Sequence, residues 1–170
     1  MHYILLLFAS LFTSPPAANY EWGTVKIGGG GYVTGIAIHP ADKNIMYIRT
    51  DVGGAYRWDP KGKEWIQMLN WVGPDQGNLI GVDGMAVDPN NRDRIYLALG
   101  KSINQQGGIY RSDDRGETWK KLMTANYEGN GRVARWTGEC IAVDPHSSQI
   151  VYAGTRRKGL WRSTNRCGLV

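Results

Sequence analysis

An all-β fold of repeated antiparallel sheets is what this sequence predicts, on three observations. First, Gly54-Ala55-Tyr56-Arg57, Gly108-Ile109-Tyr110-Arg111 and Gly159-Leu160-Trp161-Arg162 are versions of one element. A Trp follows the leading Gly by eleven positions in the first two copies, at Trp65 and Trp119. Second, Ile36-Ala37-Ile38-His39-Pro40, Met85-Ala86-Val87-Asp88-Pro89 and Ile141-Ala142-Val143-Asp144-Pro145 match one another, each with a Tyr seven residues after the Pro (Tyr47, Tyr96, Tyr152). The Pro-to-Pro spacings of 49 and 56 residues belong to radially repeated sheet architectures. Third, the composition is that of β structure, with 23 Gly, 7 Pro, 7 Trp and 9 Tyr, and no helical periodicity lasts beyond a turn or two. Each unit reads as about four short strands, so the predicted fold is a run of β-propeller blades with almost no helix. Such rings close with roughly four to eight blades, so three units make an incomplete propeller.

Residues 1–18 stand outside the repeat. Tyr3 to Phe12 is an apolar run of the length of a signal-peptide core, followed by Thr13-Ser14-Pro15-Pro16 and the small pair Ala17-Ala18. It is too short for a membrane span. Secretion is the expectation, although His2 stands where Lys or Arg is usual, and a misassigned start codon is the alternative reading. From residue 19 to 165 the three units follow. In each, the apolar run before the Pro is read as the innermost strand, ended by a residue with no N–H for the ladder. The turns expected next are Ala41-Asp42-Lys43-Asn44, Asn90-Asn91-Arg92-Asp93 and His146-Ser147-Ser148-Gln149. A second strand carries the Tyr, a third starts at the Gly and alternates apolar with charged residues, and the Trp opens the outer strand.

Between third strand and Trp, the second unit reads Ser112-Asp113-Asp114-Arg115-Gly116-Glu117-Thr118-Trp119. This fits the Asp-box pattern Ser-x-Asp-x-Gly-x-Thr-Trp, a hairpin in which the carboxylate takes hydrogen bonds from turn amides and the Trp packs beneath. The first unit lacks the pattern. The third starts it with Ser163 and Asn165, then has Cys167, Leu169 and Val170 where Gly, Thr and Trp are expected. Residues 166–170 therefore read as a non-homologous tail.

The net charge of +5 is spread along the chain, and its tightest cluster, Arg156-Arg157-Lys158, falls at an expected turn tip, which argues against a nucleic-acid partner. Two cysteines, Cys140 and Cys167, make no disulfide framework, and Cys140 aligns with Gly35 and Gly84 at the start of an apolar strand, as a buried inert thiol would. The glycine run Gly28 to Gly31 is followed by neither Lys-Ser/Thr nor a helix signal, so it is not a phosphate loop. His39 and His146 occupy different repeat positions and suggest no metal site. No cofactor is expected.

A residue that breaks the repeat is not explained by sheet construction. Eleven positions after each Pro stand Asp51, Gly100 and Arg156, so the carboxylate belongs to the first unit alone, at a predicted strand end with Gly53 and Gly54 close behind. Capping of a turn is the competing reading. Tyr32, Trp71 and Trp136 fall outside the repeat-forming aromatic positions, in loops where a ring could stack on a sugar or pack a loop onto a sheet. Asp83 and Glu139 precede inner strands, where a hydrogen bond to a neighbouring sheet competes with a sugar contact.

Several contiguous stretches carry a resemblance: Val25-Lys26-Ile27-Gly28-Gly29-Gly30-Gly31-Tyr32-Val33-Thr34-Gly35-Ile36, the segment from Arg49 to Asp59 with Thr50-Asp51-Val52-Gly53-Gly54 inside it, Gly138-Glu139, and Gly154-Thr155-Arg156 with Gly159-Leu160-Trp161. From Tyr20 to Asn165 the chain resembles the N-terminal part of the xyloglucan-hydrolysing enzymes of glycoside hydrolase family 74. The resemblance implies two seven-bladed propellers facing one another across a groove for a β-1,4-glucan with xylose branches. It also implies hydrolysis with inversion by two aspartates, Asp51 as general base and a general acid supplied by the second, C-terminal propeller. The partner so implied is xyloglucan or a related β-glucan, with no membrane. By this reading the chain alone is inactive. The rival reading is a non-catalytic Asp-box propeller fragment that binds carbohydrate or protein, as in sortilin-like receptors.

Overall fold

A computed structural model of the chain describes residues 23, 28–127, 138–155 and 157–164. The expected leader, Trp136, Arg156, Cys167 and the expected tail lie outside the described residues. Eleven strands are described, in three antiparallel sheets that follow one another along the chain. The first contains β1 (Val33–His39), β2 (Asp42–Thr50), β3 (Ala55–Asp59) and β4 (Glu64–Gln67). The second contains β5 (Val82–Val87), β6 (Ile95–Leu99), β7 (Gly107–Ser112) and β8 (Lys120–Ala125). The third contains β9 (Ile141–Asp144), β10 (Ser147–Thr155) and β11 (Gly159–Ser163). Every strand pairs with its sequence neighbour, the simplest topology that short turns allow.

The residue before each Pro does one job in all three sheets. Asp88 Oδ1 accepts from the Asn90 N–H at 3.0 Å, Asp144 Oδ1 from the His146 N–H at 2.8 Å, and His39 Nδ1 from the Ala41 N–H at 3.1 Å. Each side chain caps the amide two residues on, in the manner of an Asx turn. Because Nδ1 of His39 accepts, its proton sits on Nε2, which donates to the Asp88 carbonyl of the next sheet at 3.1 Å. The turns themselves are shorter than the sequence suggests. His39 pairs with Asp42 and Asp144 with Ser147, so β2 and β10 begin inside the stretches expected to be turns. The extra polar residues are absorbed instead as register shifts between Ile38 and His39 and between Ser147 and Val151, where one strand bulges against its partner. Only the second sheet has the longer connection, residues 88–94.

The sheets are joined by two apolar layers. Ile45, Tyr47, Ala55, Met68 and Leu69 of the first unit meet Leu79, Val82, Met85, Ile95, Leu97, Leu99 and Tyr110 of the second. Ala86, Tyr96, Ala98 and Ile109 of the second sheet meet Ile141, Val151 and Ala153 of the third. Strand β6 (Ile-Tyr-Leu-Ala-Leu) is buried on both faces, as a continuous apolar run requires when sheets cover it on either side. The first strands stand side by side, β1 against β5 and β5 against β9.

Ser112 to Trp119 forms a hairpin closed by polar bonds. Asp114 Oδ1 accepts from Ser112 Oγ at 2.6 Å and from the Thr118 N–H at 2.9 Å, while Asp114 Oδ2 accepts from Thr118 Oγ1 at 2.5 Å. Burial opposes the charge, but the hydrogen bonds from Ser112 and Thr118 outweigh it and hold the carboxyl below its ordinary range. Trp119 Nε1 donates to Gly116 O and, across the sheet boundary, to Met68 O, both at 3.1 Å. Trp65, at the matching repeat position, packs on Trp58 with ring centres 5.4 Å apart, and its buried Nε1 has no acceptor among the described residues.

The one helical element among the described residues is a 3-10 segment, Pro74–Ile80, broken at Gln76 and inserted between the first and second sheets. No helix among the described residues is long and apolar enough to cross a membrane.

Candidate functional site

The site begins with the turn from β2 to β3. Thr50 N and Thr50 Oγ1 both donate to Gly54 O at 2.9 Å, and Gly53 N donates to Thr50 Oγ1 at 2.8 Å. The third sheet repeats the device: Thr155 Oγ1 donates to Gly159 O at 3.0 Å and accepts from Lys158 N at 2.9 Å. The threonine therefore builds the turn, and the residue after it is free to vary. In the first unit that residue is Asp51, and in the third it is Arg156.

Asp51 is 3 % exposed. Its Oδ1 accepts from the Tyr32 N–H at 2.8 Å, and its own N–H donates to Tyr32 O at 3.1 Å, so the segment ahead of β1 is laced to the turn. This fit demands glycine. A Cβ on Gly53 would stand 1.7 Å from Gly30 O, and one on Gly31, whose φ is +110°, would stand 3.1 Å from Asp51 Oδ1. The two glycine-rich segments thus cross beside the aspartate at backbone contact, which a side chain at Gly53 or Gly31 would prevent. The crossing is pinned from below: Tyr56 OH and Gln67 Nε2 donate to Gly53 O at 2.9 and 2.8 Å, and Gly54 N donates to Ile80 O at 2.9 Å.

Of the expected aromatics, Tyr32 is joined to Asp51 through its backbone and leaves its ring 65 % exposed. Trp71 is 39 % exposed, and its ring contact is Tyr110 of β7, at 5.5 Å and tilted by 40°, rather than Tyr32 or Asp51. Beside Tyr110, a notch of about 420 Å³ opens between the 3-10 segment and residues 105–106, lined by Gln76, Asn78, Gln105, Tyr110 and Lys121. A second cavity, of about 440 Å³, is lined by Asp42, Tyr47, Arg57, Trp58 and Arg115 and takes in neither Asp51 nor the expected aromatics. Its Arg57 and Arg115 are already paired with Glu117 and Asp93.

Glu139 takes the inter-sheet role that competed with a sugar contact. Its Oε1 accepts from Arg49 Nη2 at 3.0 Å and its Oε2 from the Met85 N–H at 3.1 Å, which links all three sheets. Asp83 is 6 % exposed. The Cys140 thiol is pushed up to about 12, first by burial and then by Asp83, and stays protonated as an inert thiol should. Sequence reasoning missed Arg49. Its signal was a lone cation in the strand Ile45-Met46-Tyr47-Ile48-Arg49-Thr50, where a buried charge requires partners.

No family model matches the chain. It is 42% identical over 159 residues, 90% of this chain, to a xyloglucanase of a Paenibacillus species, and 43% identical over 152 residues, 86% of this chain, to a xyloglucanase of Acetivibrio thermocellus. Among solved structures, the GH74 xyloglucanase from Xanthomonas campestris superposes with a TM-score of 0.74 at 43% identity over 88% of this chain. Over most of its length the chain is similar to one part of these xyloglucanases, among them a solved structure of glycoside hydrolase family 74. It spans 16% and 18% of the length of the two curated relatives and 22% of the family 74 crystal structure. The described antiparallel sheets match the architecture of that family 74 structure.

Proposed function

We propose that this chain is the base-bearing segment of a secreted xyloglucan hydrolase that works with inversion. Its three sheets are consecutive blades of a seven-bladed propeller. Ser112 to Trp119 is an Asp-box, and residues 1–18 are the secretion leader. One observation carries the reading: Asp51, an aspartate that breaks the repeat, is seated under a glycine crossing with one oxygen fixed by the Tyr32 amide.

A positioned carboxylate of this kind suits general-base work, because the proton of an attacking water must pass to an oxygen whose direction is already set. In inverting hydrolysis the base and the acid stand about 6.5–9.5 Å apart, which leaves room for that water against the far face of the sugar. Asp51 takes the proton as oxygen attacks the anomeric carbon. A carboxylic acid from the second propeller protonates the departing glycosidic oxygen. The exposed rings of Tyr32 and Trp71 offer apolar faces to the glucan backbone, and Trp136 is the third aromatic of the chain assigned to it.

The test joins residues 19–165 to the remainder of a family 74 xyloglucanase and follows release of reducing ends from xyloglucan. The chimera should hydrolyse and its first product should be the α-anomer by proton NMR, whereas the chain alone should give no release above background. A first product of β configuration, or equal activity of the chain alone, would overturn the reading in favour of another mechanism. Binding of the polymer by a chimera without hydrolysis would favour the non-catalytic binding module.

A further inference from the structure

We infer that Arg49 is the positioning residue of the Asp51 site, and that it sets the place of the carboxylate by tying the end of β2 to the other two sheets. The inference rests on the catalytic reading of Asp51 only for its kinetic consequence. Its structural part stands on the clasp itself.

Arg49 lies two residues before Asp51, and its side chain is 5% exposed. A buried guanidinium is costly unless its donors are satisfied. Here four of its five N–H donors are engaged: Nη1 donates to Thr34 Oγ1 at 2.9 Å and to Val82 O at 3.3 Å, while Nε and Nη2 donate to Glu139 Oε1 at 3.3 and 3.0 Å. Thr34 belongs to β1, Val82 opens β5, and Glu139 precedes β9, so one cation gathers the entrances of the three innermost strands. Glu139 completes the ring by accepting the Met85 N–H with its second oxygen.

The route of the side chain is built into the register. Gly35 is the partner of Arg49 across the β1–β2 ladder, and a Cβ there would stand 2.7 Å from Nε and 3.1 Å from both Cζ and Glu139 Oε1. A pure β2 anchor would need no such gap. The gap lets the guanidinium cross over β1 to reach Glu139. Tyr32 and Thr34, which flank Val33, are held to the same stretch of chain, Tyr32 by Asp51 and Thr34 by Arg49. If the clasp releases, β1 and the β2 end lose their common reference, and the Tyr32–Asp51 bond is the first contact to feel it.

Two readouts test this in the chimera, with variants Arg49→Met, Gly35→Ala and the conservative Arg49→Lys. Hydrogen exchange of the Tyr32 amide reports the Asp51 carboxylate directly and does not depend on catalysis. Arg49→Met and Gly35→Ala should speed it by roughly tenfold or more, and Arg49→Lys by less, while the amide of Leu97 in β6 stays protected. Turnover per folded molecule should fall by roughly tenfold in Arg49→Met with KM for xyloglucan within about threefold, since a misplaced catalytic group lowers kcat more than it weakens binding. In an Asp51→Asn background Arg49→Met should add no further loss. Unchanged Tyr32 exchange in both Arg49→Met and Gly35→Ala overturns the positioning role. Faster exchange with a kcat loss that adds in full to that of Asp51→Asn overturns its link to Asp51. Turnover of Asp51→Asn within a few-fold of the parent, together with faster Tyr32 exchange in the Arg49 variants, leaves the clasp standing and removes the catalytic reading instead.

Discussion

Replacing Gly53 by Ala should damage the site out of proportion to the size of a methyl group. The added Cβ would lie 1.7 Å from Gly30 O, whereas carbon and oxygen approach to only about 3.3–3.6 Å, so the crossing must open by roughly 1.6–1.9 Å. The obstructing atom is main-chain carbonyl, so no rotamer change can relieve the clash. The backbone of Gly53 is held by Tyr56 OH and Gln67 Nε2, which leaves the Gly28 to Gly31 segment to move, and Tyr32 moves with it. A displacement of 1 Å in a positioning element can cost about 10²-fold in rate. The chimera with Gly53→Ala should therefore lose roughly 10²-fold or more in turnover on xyloglucan, and the Tyr32 amide should exchange faster. Gly30→Ala is the matched control, because a Cβ at Gly30 meets nothing within 4 Å, and it should stay within about twofold of the parent. Parental turnover in Gly53→Ala, or equal losses in the two variants, would refute the crossing as the element that seats Asp51.

Two further outcomes are expected. Asp113 and Asp114 are both held below their ordinary carboxyl range: burial works against each charge, but Arg94 and Arg111 outweigh it at Asp113, and Ser112 and Thr118 at Asp114. Their folded values are depressed, so the stability they add is complete above the unfolded value near 3.8 and is lost as pH falls through the lower folded values. Urea midpoints followed by Trp fluorescence should therefore fall as pH drops below about 4, and Asp114→Asn should flatten that fall. Expressed alone, the chain should self-associate, because Ile36 and Ile38 on β1 are 63% and 52% exposed in an apolar strand. Gel filtration should show higher species that Ile36→Lys with Ile38→Lys reduces, and a sharp monomer peak for the parent would contradict this.

The strand order was legible because the same apolar run, Pro, Tyr and Gly recur at fixed separations, and each recurrence marks one boundary of a sheet. The hairpin from Ser112 to Trp119 was legible because its polar bonds are local, made within eight residues. Asp51 stood out through the repeat it violates. What the sequence hid is long-range. The partners of Arg49 are 15, 33 and 90 residues away, and no local pattern specifies them. The place of Trp71 against Tyr110 likewise depends on the path of the 3-10 segment, whose single turns are too short to leave a periodic signal. The lengths of the turns after Pro40 and Pro145 were overestimated because polar residues there enter bulged strands, and a bulge carries no composition of its own.

The most direct measurement of the central claim is the turnover of the chimera carrying Asp51→Asn, per folded molecule, on xyloglucan. Asn keeps the shape and can still accept the Tyr32 N–H through its amide oxygen, but it cannot take a proton from the attacking water. A fall of at least roughly 10²-fold with little change in KM, the scale of losing a positioned base, is the expected result. Turnover within a few-fold of the parent would contradict the account and leave Asp51 as the cap of a turn.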